Sequence, residues 1–532
     1  MKKAVLAASL LVLLIFASGC LQPKACEEGK ARACTLEGCD GTQTCVNGKW
    51  GGCIKTDACC GGGCGQGEAT YPFGFAGPTQ PPDNFNKIAE VGANYIRESI
   101  VWGGTDPVDF SNMDTAYDKL KNQYGLKPIV RLKLKGPNTK CDTSLTCPDA
   151  PIYTTCPASS ADCPPADLGG WSERGYSPML YDSIYGTIEH FFNTNRPIEY
   201  IIVGNEVNTL LFWHASSEDY LKTRGTVFKA VHDFDEKNNQ DVKVVDNGFA
   251  GGVWGFAILR DEVCSGDPAR REFAEEFASK YFRRRFTQTQ MEDYINNNFK
   301  LPYFCANPDI SQIILRDSFK IDPNLGEASF DYMAYHFYEP WDTQQEIINW
   351  IEKEMQKNGY QKPIMHTEGG YSDNLRLLDN PVVADEVRKD VADDIPKLHV
   401  IAFANGVKTW LWLPFTERYD SAYYGPTYSG LFDPNQQELP AFTSYKTMTQ
   451  KLTGFTSVQK IDFGEYTYKF IVDGKPVYVL WRSEDTAPNP ITVDLSSEIS
   501  GYVKVTGVDG TTQTAASSAL RVTESPVFVE KA

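Results

Sequence analysis

Positive charge is what this 532-residue chain has least to spare: 51 lysines and arginines stand against 69 aspartates and glutamates, a formal net charge of −18. Phosphate binding requires concentrated Lys and Arg, so this composition argues against a nucleic-acid partner. The one basic run, Arg283-Arg284-Arg285, is short and reads as a solvated helix face. Histidine is scarce, six in all, and His214, His336 and His366 lack HExxH spacing. The sequence therefore gives no reason to expect a catalytic metal or any other cofactor. No glycine-rich phosphate loop follows the first candidate strand, which disfavours a doubly wound dinucleotide-binding sheet. The apolar run at the N-terminus, residues 4–16, is too short for a comfortable transmembrane helix.

What is present points outside the cytoplasm. Lys2-Lys3 followed by the apolar run reads as an export signal. The run ends in Ala17-Ser18-Gly19-Cys20, which resembles a bacterial-type lipobox. That resemblance implies cleavage before Cys20 and lipidation of its thiol, hence attachment to a membrane surface. An ordinary secretory signal and an uncleaved anchor are the alternatives. Setting Cys20 aside, the remaining cysteines are even in number and clustered: Cys26 to Cys64, then Cys141, Cys147, Cys156 and Cys163, then Cys264 and Cys305. Even clusters in an exported chain imply disulfides, with pairing left open. Metal binding by the first cluster is disfavoured, because it lacks histidine and a repeated CxxC spacing.

Four regions follow from the composition: an export signal over 1–20, a cysteine-stapled segment or spacer over 21–66, a large region over 67–455 and a small one over 456–532. The segment 21–66 has too little apolar surface to fold without cross-links. From about Tyr71, short apolar runs alternate with helical stretches, the pattern of an α/β fold. Candidate strands lie at 72–76, 93–97, 128–134, 200–204, 242–246, 332–336, 363–367 and 409–413, with helices such as 177–193, 217–237, 342–358 and 382–394 between them. Eight such units predict a (β/α)₈ TIM barrel with large insertions at about 136–171 and 249–328. Beyond Thr456 the chain alternates apolar and polar residues, as in Tyr466-Thr467-Tyr468-Lys469-Phe470-Ile471-Val472, which predicts a C-terminal antiparallel β-sandwich. Bracing of the barrel is its expected role.

Two glutamates sit where barrel strands should end, in Val203-Gly204-Asn205-Glu206 and in Met365-His366-Thr367-Glu368-Gly369. Strand C-termini of such a barrel share one face, and that face carries its chemistry. The ordered landmarks Arg97, Asn205-Glu206, His336, Tyr338, Glu368 and Trp412, with Tyr428-Ser429-Gly430-Leu431-Phe432-Asp433 downstream, resemble the clan A glycoside hydrolases over about residues 71–450. The resemblance implies a retaining O-glycosidase acting on extracellular glycans, with Glu206 as general acid/base and Glu368 as nucleophile. It implies substrate contacts from Asn205 to a sugar 2-hydroxyl, from His336 to the sugar or a catalytic carboxylate, and from Trp412 as a stacking platform. Arg97 is expected to keep Glu368 ionised and Tyr338, in preference to Tyr335, to orient it. A glycan-binding surface lipoprotein without catalysis, and a transglycosylase using the same covalent intermediate, are the alternatives. Arg97, Arg131, Lys133 and Lys135 are basic residues that could line the cleft and admit an anionic substrate.

Overall fold

The computed structural model describes residues 72–532 except 77–84, 103–109, 136–137, 142–161, 210–211, 251, 284–286, 299–304, 306–309, 372–383, 418–427 and 484–489, and before them four strand backbones. Those four are β1 (Ala31–Leu36), β2 (Cys39–Val46), β3 (Lys49–Trp50) and β4 (Ile54–Lys55); β2 pairs antiparallel with each of the others. The export signal, Cys20, Cys147 and Cys156 lie outside the described residues. The chain divides into two compact units, Met1–Glu68 and Ala69–Ala532.

The second unit is built on eight strands: β5 (Phe73–Ala76), β6 (Tyr95–Trp102), β7 (Lys127–Leu134), β8 (Tyr200–Val203), β9 (Lys243–Val245), β10 (Met333–Phe337), β11 (Ile364–Gly369) and β12 (Trp410–Trp412). They form one sheet in the order β10-β11-β12-β5-β6-β7-β8-β9, and every ladder is parallel. Parallel bridges Val245–Tyr332 and Phe249–Tyr335 join β9 to β10 and close the barrel. Ala76, Ile129, Ile202, Val245, Ala334, Met365 and Leu411 pack together as the interior layer. Their strand neighbours Phe75, Val130, Ile201, Val244, Met333, Ile364 and Trp410 belong to the outer core against the helices. This is the two-sided burial that a parallel sheet requires, and it explains the near-continuous apolar runs.

Local signals set the helix ends. Ser177 caps the helix Pro178–Asn193, its hydroxyl accepting from Leu180 N at 3.1 Å, with proline at the first position. Ser216 does the same for Ser217–Asn238, and Asn239 (φ 51°) ends that helix in the left-handed region. One expected helix, 382–394, runs on through Pro396 to Ala404. Burial of Ile395, Leu398, Ile401 and Ala402 outweighs the missing proline donor. Among the described residues no helix is long and apolar enough to cross a membrane.

The C-terminal residues form a six-stranded antiparallel sheet and a separate two-stranded one. Tyr478, Leu480, Val505 and Val529 of the large sheet pack on Val493, Leu520 and Val522 of the small one. The opposite face, with Tyr468, Phe470, Val479 and Trp481, joins the barrel's outer core. Trp341 packs edge-on against Tyr466 and Trp481, with ring centroids 5.0 and 5.9 Å away. The sheet's main aromatic surface is thus packed against the barrel.

Candidate functional site

At the C-terminal end of the barrel, five strands contribute polar side chains to one point. Strand alternation explains the orientation of three of them. Arg97 pairs with the interior residue Ala76, Arg131 lies two residues beyond Ile129, and His336 two beyond Ala334. All three therefore face inward. By that rule Glu368, three residues after the interior Met365, would face the helices. A register shift corrects this: Tyr335 pairs with His366, but His336 pairs with Glu368, so Thr367 is the extra residue of a β-bulge. The bulge turns Glu368 into the barrel beside His336, a common use of bulges next to functional groups.

Glu206 reaches the same point from a strained turn. Gly204 (φ 80°) leads out of β8, and Glu206 itself has φ 44°. A non-glycine residue held there costs about 1–2 kcal/mol. Backbone bonds fix the turn: Glu206 N donates to Gly248 O at 3.1 Å, and Val207 N to Asn247 Oδ1 at 3.2 Å. Asn247 in turn is held by Tyr220 and Asp246, whose carboxylate pairs with the buried Arg224 at 3.0 Å. Gly248 (φ 69°) admits no side chain, since a Cβ there would stand 2.4 Å from His336 Nε2 and 2.6 Å from Thr367 Oγ1.

The resulting contacts are specific. His336 Nδ1 lies 2.8 Å from Glu206 Oε1. The guanidinium of Arg97 donates to Glu368 through one nitrogen and to Asn205 Oδ1, at 3.3 Å, through the other. Arg131 Nη1 also donates to Asn205 Oδ1, at 3.1 Å. Tyr338 O–H donates to Glu368 Oε1 at 2.7 Å. One carboxylate oxygen from each glutamate and a ring nitrogen of His336 lie within 4.8 Å of one another. Those three side chains could ligate a metal, but Glu368 is already neutralised by Arg97, and a second cation beside that guanidinium would be repelled.

The two carboxyls are pushed apart in acidity. Burial raises Glu206, and the negative charge of Glu368 adds to the rise, against a partial opposing pull from the His336 hydrogen bond. Burial would raise Glu368 too, but the Arg97 charge, His336 and the Tyr338 hydrogen bond overcome it and bring the group down to about 2. Burial and the two neighbouring carboxylates hold Tyr338 well above its ordinary value, so it remains a donor.

The structure brings Arg97, Asn205, Glu206, His336, Tyr338 and Glu368 together. Tyr335 is elsewhere, its hydroxyl accepting from Gln344 Nε2 at 2.9 Å in the outer core. Arg97, expected to end its strand, is followed by five more strand residues. Trp412 departs from its expected role as a sugar platform. Leu411 points inward, so Trp412 points to the helices; it is fully enclosed, its indole N–H donating to Ser429 O at 3.1 Å. No ring face is left for a ligand. Trp213, Trp254 and Trp341 are likewise buried. Asn247, Gly248 and Thr367 were missed; Asn247-Gly248 directly after a candidate strand was the available signal, whereas nothing local announces the bulge at Thr367.

An eight-stranded parallel barrel carrying polar groups at its strand C-termini, with an antiparallel sheet domain after it, is the class of architecture found in many glycoside hydrolases. No protein-family model matches the sequence, and no curated protein matches it. Solved structures do. A family 39 glycoside hydrolase from Bacteroides cellulosilyticus WH2 superposes with a TM-score of 0.51 at 13% identity, over 95% of this chain and 88% of that one. A glucosidase from Croceicoccus marinus gives 0.50 at 11% identity, over 87% of this chain and 96% of that one. At such identities the likeness is one of fold.

Proposed function

We propose that this chain is a retaining glycoside hydrolase that cleaves O-glycosidic bonds of extracellular glycans by double displacement. The observation that carries the reading is the Glu206–Glu368 pair, with carboxylate oxygens within 4.8 Å and acidities moved in opposite directions. Retaining enzymes hold their two carboxyls about 5–5.5 Å apart, whereas inverting ones leave about 6.5–9.5 Å for a water.

Glu206, raised in pKa, protonates the departing glycosidic oxygen while the ionised Glu368 attacks the anomeric carbon and forms a glycosyl ester. Esterification removes the Glu368 charge, one of the causes that raise Glu206. Glu206 thereby becomes more acidic and serves as base for the incoming water. Asn205 has its amide oxygen occupied by Arg97 and Arg131, which leaves its N–H₂ for the sugar 2-hydroxyl. His336 touches Glu206 and Tyr338 touches Glu368, so both act by orienting a carboxyl.

The test is covalent trapping. A 2-deoxy-2-fluoro glycoside with an activated leaving group, in the configuration picked from a panel of aryl glycosides, is expected to add one glycosyl mass to the peptide containing Glu368. A label on another residue, or a first-formed product of inverted configuration by NMR, sinks the double-displacement reading.

The export signal and Cys20 support a location at the cell surface with a lipid anchor. A single acyl chain holds a protein only reversibly, and stable anchoring takes more than one. Cys20→Ser is expected to move the protein from the membrane fraction to the soluble one. Unchanged membrane retention rules the anchor out.

A further inference from the structure

The inward face of β7 carries a row of cations leading away from Glu206 and Glu368. Ile129 is in the interior layer, whereas Val130, Leu132 and Leu134 are in the outer core. Strand alternation therefore sets Arg131 and Lys133 on the same side as Ile129. Among the described residues, pairing of β6 with β5 reaches Arg97, and that of β7 with β8 reaches Leu132. The β6–β7 ladder continues to Trp102 and Leu134, and Lys135 N extends it by donating to Trp102 O at 3.0 Å. Lys133 and its β6 partner Val101, which is 57% exposed, lie beyond the last β7–β8 pair. Residues two apart on a strand are separated by about 6.6 Å, so Lys133 stands roughly one sugar ring beyond Arg131.

Neither Arg131 nor Lys133 forms an ion pair among the described residues, although Glu368, Asp162 and Glu206 act on Arg131 through space. Arg131 directs Nη1 to an amide oxygen, and its Nε is buried without a partner. Burial and the neighbouring Arg97 bring Arg131 down to about 10; burial and Arg131 lower Lys133. Asp162, next to the Cys141–Cys163 disulfide, is the acid that acts on both Arg131 and Lys133. Burial pushes that carboxyl up to about 6 against the pull of Arg131, Lys135 and Lys133. Glu98, on the opposite face of β6, is raised by burial despite Arg131 and Lys133. A chain with net charge −18 has nonetheless set Arg131 and Lys133 side by side on one strand face, where Arg131 repels Lys133. A neutral glycan would leave that repulsion in place, whereas an anionic group would relieve it.

We propose that the substrate bears an anionic substituent, a carboxylate or a sulfate ester on the sugar, held by Arg131 and Lys133 on the β7 wall of the cleft. The inference rests on the glycosidase reading of Glu206 and Glu368 and specifies its substrate class.

The test uses the full chain with Glu206→Gln, which slows turnover, on oligosaccharides arrayed in pairs: uronate-bearing beside carboxyl-reduced, and sulfated beside desulfated. Acidic members are expected to be retained over their neutral partners by about ten-fold or more, and the preference to weaken as salt is raised. Lys133→Gln should abolish the preference and Lys133→Arg should restore it. The pair that is discriminated identifies carboxylate or sulfate. Equal retention of acidic and neutral partners, or a preference that Lys133→Gln leaves intact, overturns the proposal. Acidic glycans that are bound but never cleaved by the wild-type chain would keep the anion subsite and remove the hydrolase reading. Cleavage of neutral glycans with no acidic preference would do the reverse.

Discussion

Glu206→Gln and Glu368→Gln are both expected to collapse turnover, but by different routes that kinetics can separate. Glutamine at 368 cannot attack the anomeric carbon, so kcat falls by on the order of 10⁴-fold or more for every substrate, whatever its leaving group. Glutamine at 206 removes proton transfer, worth about 10²–10⁴-fold. On an aryl glycoside with a strongly acidic phenol, that loss falls on the second step, because such a phenol departs without help. The glycosyl ester then accumulates, KM drops with kcat, and azide should restore turnover by attacking the ester without a base. Rescue of Glu368→Gln by azide with retained configuration, or equal behaviour of the two variants across leaving groups, would exchange or dissolve the two roles.

Arg97→Gln carries the second large effect. Arg97 is 3% exposed and Glu368 12%, so the ion pair is shielded from solvent on both sides. Removing one partner of a buried pair costs about 3–5 kcal/mol, since the other charge is left uncompensated. The sign for pH follows from the direction of the shift. Glu368 is depressed below its ordinary value, so the stabilisation of its ionised form is present above about pH 4.5 and lost as pH falls through the folded-state value. Without Arg97, burial is opposed by His336, Tyr338 and the charge of Arg131, and the Glu368 pKa rises. The acid limb of kcat/KM should therefore move to higher pH, while Arg97→Lys, which keeps the charge, moves it less. An acid limb in the same place for wild type and Arg97→Gln would show that Arg97 does not set the ionisation of Glu368.

The eight strands were legible in the residues because each buries both faces, so each reads as a compact apolar run ended by polar or turn residues. Their expected bounds agree with β5 to β12 to within a few residues at most ends, with β6 the exception. That strand runs on because β7 alone continues beside it, a pairing no local pattern announces. The ends of β8 and β11 marked Glu206 and Glu368 for the same reason: a carboxylate directly after a buried apolar run belongs at a strand's C-terminus. Trp412 was misjudged because apolar residues fill both faces of a fully buried strand, and the pattern then carries no parity. The interior placement of Leu411 decided it.

The order of strands, the location of the two glutamates and the basic residues of β7 were set by the sequence itself, through apolar periodicity and residue chemistry. The tertiary structure alone decided which of these groups meet. Arg97 finds Glu368 across 271 residues, and His336 finds Glu206 across 130. Such pairings depend on barrel closure, which no window of sequence contains. The direction of Glu368 depends on one extra residue in β11, and the acidity of Glu206 on how deeply that closure buries it. Both are properties of the neighbours that surround a residue in space, not of those beside it in the chain.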